Sequence, residues 1–163
     1  MTLLFQSACS TTPDNSTKAI TNIKDTLFNK LNGLYVGLED MGAQIDPSKP
    51  KWKWYHLSYL KIKGDSVNLN QSPISIYKTD TSFSTSDGGF YYYSGTLISS
   101  DTTVEINLKE TSCDYCGELM KKNADGTLER EYRTKKYLGK LTDKGIIING
   151  HLFTKTNKSE FDK

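Results

Sequence analysis

The sequence predicts a mainly β domain, an antiparallel up-and-down β-barrel of about eight strands with one short N-terminal helix; a β-sandwich is the alternative. Three observations predict it. From Gly33 onwards, apolar and aromatic runs are short and separated by turn residues, with no 3.6-residue period. Glycine recurs in one register, as Tyr93-Ser94-Gly95-Thr96-Leu97, Tyr137-Leu138-Gly139-Lys140-Leu141 and Ile148-Asn149-Gly150-His151-Leu152. Inside strands such glycines mark strong coiling or the close approach of another backbone. Finally, 163 residues suit one domain with one core.

The helix rests on Ile20, Ile23, Leu27 and Leu31, which recur at spacings of three and four and are followed by Gly33 as a stop. Its other face mixes Lys24, Asp25 and Lys30, which does not make a membrane-surface helix. Strands are expected at Leu34–Leu38, Trp52–Lys63, Ser66–Tyr77, near Phe83, at Phe90–Ile98, Thr103–Lys109, Thr127–Leu141 with a break, and Ile146–Lys155. Gly64-Asp65, Asp87-Gly88-Gly89, Asp101-Thr102, Asp125-Gly126 and Asp143-Lys144-Gly145 supply the turns. Strands joined so tightly must be antiparallel neighbours. The stretch from Glu39 to Lys51, with Pro47 and Pro50, is expected to be a longer loop.

Charge excludes some functions. Lys plus Arg number 21 against 19 Asp plus Glu, so there is no concentrated cation to hold a nucleic acid. Apolar runs reach three or four residues, far short of the roughly 20 that a membrane-spanning helix needs. There is no Gly-x-Ser-x-Gly, no phosphate-cradling glycine loop and no His-Glu-x-x-His. Asp and Glu fall in turns and at outward-looking positions. The expectation is a binding protein, not an enzyme, without cofactor or metal and acting as a monomer.

Ser7 and Ala8 directly before Cys9, with Leu3, Leu4 and Phe5 upstream, resemble the lipobox of bacterial lipoproteins. The resemblance implies that residues 1–8 are the remnant of a signal peptide, that Cys9 is acylated, and that 9–17 tether a barrel domain of residues 18–163 to the outer membrane. The cysteine count fits that reading. Of three cysteines, acylation uses one and leaves Cys113 and Cys116 to close a disulfide across a turn. A redox motif and a metal site completed by His56 and His151 are the competing readings of that pair. Leu34-Tyr35-Val36-Gly37 after a short helix resembles lipocalin-like bacterial domains. Cys113-Asp114-Tyr115-Cys116-Gly117 followed by Asp125-Gly126-Thr127 is similar to elements in the lipocalin-like domain of copper-resistance lipoproteins.

Binding candidates come from rings and charge. Trp52, Trp54, Tyr55 and Tyr59 crowd one strand and Phe90 to Tyr93 another, so rings reach both faces of the sheet. Core packing is one use; a ring-lined pocket including Trp54 and Tyr91 is the other. Residues 121–144 carry eight Lys or Arg against four acids. Alternation sets Leu128, Arg130, Tyr132 and Thr134 on one face, which is expected to point inward, and Glu129, Glu131, Arg133 and Lys135 on the other. An inward Arg130 beside Tyr132 resembles the Arg-x-Tyr carboxylate clamp of intracellular fatty-acid-binding barrels. The expected partner is a small apolar or amphipathic ligand inside the barrel, or an envelope protein bound on the outer surface, as an inhibitor or immunity-type lipoprotein would bind.

Overall fold

The computed structural model describes residues 30–43, 51–86, 89–117 and 119–157. Lys30 and Leu31 have helical backbone; the rest of the expected helix, Cys9 and the tether lie outside the described residues. The strands are β1 (Gly33–Ala43), β2 (Trp52–Lys63), β3 (Ser66–Tyr77), β4 (Asp80–Ser86), β5 (Phe90–Ser99) and β6 (Thr103–Asp114), then β7 (Leu119–Lys122), β8 (Leu128–Glu131), β9 (Thr134–Thr142), β10 (Gly145–Ile148) and β11 (His151–Thr156). Hydrogen-bonded neighbours run β2-β1-β11-β10-β9-β6-β5-β3, and β2 also pairs with β3. The ring is therefore a closed antiparallel eight-stranded barrel. β4 is an annex on the upper half of β3, from Ile74 to Tyr77, and β7–β8 form a separate hairpin.

Alternation decides what fills it. On β2 Ser58, Leu60 and Ile62 are buried, and on β3 Val67, Leu69 and Gln71. β6 contributes Val104, Ile106, Leu108 and Glu110; β9 contributes Tyr137 and, partly buried, Lys135 and Leu141. With Leu31, Tyr35, Leu97, Ile146, Ile148 and Phe153, the apolar members form one continuous core. It occupies one end and the middle of the barrel, and Leu31 stands over that end beside Tyr35, whose hydroxyl donates to the Leu31 carbonyl at 2.9 Å. Removing such a set from water is the main force that closes the sheet.

The glycine register needs one correction. Gly95 and Gly139 do lie within strands: a Cβ on Gly95 would run into the Asn107 carbonyl, and one on Gly139 would press on Val104 and Ile146. Gly150 does not lie within a strand. Ile146 to Lys155 is a hairpin, β10 and β11 joined by Asn149-Gly150 with φ of 50° and 83°, the backbone that an Asn-Gly two-residue turn adopts. A second correction concerns β1, which continues from Leu38 through Glu39 to Ala43, where a loop was expected.

Candidate binding site

Above the apolar core the inward-facing residues become polar. Glu39 on β1, Ser58 on β2, Gln71 on β3 and Lys135 on β9 converge. Gln71 Nε2 donates to Glu39 Oε2 at 2.7 Å and to Ser58 Oγ at 3.0 Å, and the Lys135 ammonium donates to Gln71 Oε1. Glu39, Ser58 and Gln71 are all buried, and this mutual pairing is what makes their burial tolerable. The Lys135 amine lies 5.0 Å from the centroid of Tyr93 and 5.9 Å from that of Tyr137, a cation between ring faces. Burial pulls its pKa below the ordinary lysine value, against the opposing pull of the Glu39 charge. Burial also pushes Tyr93 up to about 12, with Glu110 adding to it, and raises Tyr137 further. His56, half-buried and close to the Lys135 charge, is lowered by its partial burial and by that charge.

A second polar group lies next to the first. Glu110, 3 % exposed, receives Arg133 Nη1 at 2.8 Å and Arg130 Nη2 at 3.3 Å. Burial alone would raise its carboxyl pKa; the hydrogen bonds and charge of Arg133, with help from Arg130, hold it below the ordinary glutamate value. Arg133 also lies 5.1 Å from the Tyr91 ring centroid and donates to the Gly117 carbonyl at 3.0 Å. The same guanidinium therefore ties β6 to the segment that follows Cys116.

The sequence-predicted residues are scattered around this layer. Arg130 is on β8, in the hairpin outside the barrel sheet, and its neighbours Leu128 and Tyr132 are exposed. The expected inward face Leu128-Arg130-Tyr132 is thus overturned: Arg130 reaches back to Glu110 and stacks 5.1 Å from the Tyr132 centroid. The strand breaks at Tyr132 and Arg133, and beyond the break Lys135 and Tyr137 face inward instead. Trp54 and Tyr91 are half-buried, and the Trp54 Nε1 donor is buried without an acceptor among the described residues. Cys113, paired in register with Tyr91, and Cys116 are apposed with Cα atoms 6.0 Å apart, within disulfide range. Among the described residues no three His, Cys, Asp or Glu side chains cluster as metal ligands.

Sequence reasoning missed Glu39, Ser58, Gln71, Glu110, Arg133 and Lys135. Glu39 and Glu110 follow the inward parity of Tyr35 and Leu108, a signal hidden because each expected strand stopped short of it. Beside the polar layer a concavity of about 370 Å³ opens between Glu39, Met41, His56, Lys135, Tyr137 and His151. At the other end, one of about 310 Å³ lies between Leu31, Tyr35, Leu141, Lys144 and Lys155. No family model matches the sequence, and no curated protein and no solved structure matches it.

Proposed function

We propose that this chain is a lipid-anchored binding protein of the bacterial cell envelope, held at the outer membrane through Cys9, and that its barrel engages a partner protein with its rim and outer surface. The observation that carries this reading is the state of the inward-facing side chains. The apolar ones already form a continuous core, and Glu39, Ser58, Gln71, Lys135, Glu110 and Arg133 satisfy one another. Exposed apolar side chains lie outside instead, at Met120, Leu128, Leu138 and Leu152, each 40 % exposed or more. The binding surface performs no bond chemistry in this reading, so partner choice rests on shape and charge.

The second reading is a small amphipathic ligand in the concavity beside Lys135, favoured by its volume, within the usual range for such sites, and by the polar side chains of Glu39, His56 and Lys135 that line it. One experiment separates them. The full chain is purified from its native host after photo-crosslinking from position 138, alongside native mass spectrometry of the untreated protein. A discrete protein adduct and an empty barrel are the expected result. A stoichiometric small molecule that disappears in Lys135→Met, with no adduct, would replace this reading with the second.

A further inference from the structure

Two of the eight barrel strands are short. β9 meets β10 only from Gly139 to Thr142, and β1 meets β11 only from Leu34 to Val36. Above the Asn149-Gly150 turn the wall formed by the described residues therefore lacks two strands, while β9 and β1 continue upward on either side. The concavity of about 370 Å³ is this notch.

The two flanking edges differ. β1 is bulged between Asp40 and Gly42, Gly42 has φ of 96°, and its N–H is already donated to Asp40 Oδ1 at 2.7 Å. Such features blunt an edge against further pairing. β9 carries no bulge. Leu141 N–H donates to the Thr102 carbonyl and the Arg133 carbonyl accepts from Glu110 N–H, so the odd-numbered residues on this side turn their backbone groups toward β6. Backbone direction alternates along a strand, which turns the N–H and C=O of Lys136 and Leu138 into the notch. Among the described residues no strand pairs with that edge.

We propose that this edge receives an extended segment of the partner protein, added to the barrel as a strand along Lys136–Leu138. This rests on the protein-binding reading above and names its partner chemistry. Main-chain hydrogen bonds supply affinity in such additions, and alternate side chains supply choice. On the outer face the added strand meets Leu138, 67 % exposed, and then Lys136, which holds Glu105 of β6 at 2.8 Å but keeps 62 % of its side chain in water and so has donors left for a second carboxylate. Toward the interior it meets Lys135 and Tyr137. The fitting segment therefore carries an apolar residue and an acidic one two positions apart, opposite Leu138 and Lys136.

The test uses a library of displayed random twelve-residue peptides selected on the full chain. Enriched peptides should share an apolar residue followed two positions later by an acidic one, the order an antiparallel strand on Lys136–Leu138 requires, and should protect the Lys136 and Leu138 amides from hydrogen exchange. Leu138→Pro, which removes an N–H that β6 does not use, should weaken them at least tenfold, and Leu138→Ala less than threefold. Adding two residues on each side of Asn149-Gly150, which lengthens β10 and β11 over the edge and keeps the pair that closes the turn hydrogen-bonded, should block binding even if the proline variant fails to fold. Peptides that bind Leu138→Pro and the lengthened hairpin as well as they bind the unaltered chain would overturn this site and leave the protein-binding reading standing. Absence of any enriched peptide together with absence of a protein adduct in the host would overturn both. Self-association of the purified chain abolished by the lengthened hairpin would assign the edge to a second copy instead.

Discussion

A carboxylate as buried as Glu110 has to be matched by cations or give up its charge. Arg133 and Arg130 match it, yet their side chains remain 26 % and 33 % exposed, so part of each guanidinium stays in water. Glu110→Gln should therefore cost about 1–3 kcal/mol, below the 3–5 of a fully buried pair, read as a lower urea midpoint at unchanged slope. The pH profile follows from two residues. Because Glu110 is lowered in the fold, its stabilisation is complete above the ordinary glutamate value of about 4.3 and is lost as pH falls through its folded value. His56 is also lowered, so below about pH 6.5 the unfolded chain takes up that proton first and stability declines. Stability should fall in two stages on acidification, and His56→Gln should flatten the first stage only; a first stage left unchanged in that variant would assign it to another group.

Strands were legible where side chains alternate without interruption. β2 and β3 run over Trp52–Lys63 and Ser66–Tyr77, as their pattern predicts, because a buried face alternates with a more exposed one over Ser58–Lys63 and Ser66–Gln71, next to the tight Gly64-Asp65 turn that joins them. Legibility failed where polar residues face inward, since Glu39 and Glu110 look like strand ends until their partners across the barrel are known. It failed again at Ile148-Asn149-Gly150-His151, where a strand-glycine reading hid a turn. The candidate site suffered most: its members come from five strands, and no sequence spacing relates Gln71 to Lys135. The turn itself is testable. Gly150→Ala places a Cβ on a left-handed residue and should cost about 1–2 kcal/mol, lowering the melting temperature, whereas Gly117→Ala enters open space and should leave it unchanged. The Cys113–Cys116 loop is short, so replacing both cysteines by serine should cost about 2 kcal/mol on the chain-entropy model. Mass spectrometry of the unreduced protein should show both thiols oxidised; free thiols in protein taken from the envelope would remove the disulfide.

At the scale of the whole molecule, a closed ring of strands has few sheet edges to offer, and among the described residues the notch above Asn149-Gly150 is a break in the ring itself, whereas the other edge, β4, belongs to the annex on β3. Such a break gains most from an anchor. A partner that shares the membrane meets a tethered barrel at an effective concentration set by the tether, which raises occupancy without any new contact. One acyl chain holds a protein to a bilayer only marginally, and two or more hold it stably. The anchoring proposal therefore predicts the mass of at least two acyl chains on Cys9 and extraction of the full chain only with detergent. Cys9→Ala should move the protein to the soluble fraction with its melting temperature unchanged, because the described core begins at Leu31, well beyond the tether. The crosslinked adduct from position 138 should fall in the same variant, several-fold if the partner is itself membrane-bound. Wild-type protein recovered soluble with an unmodified Cys9 would remove the anchor; an adduct undiminished in Cys9→Ala would retain the anchor and place the partner in solution.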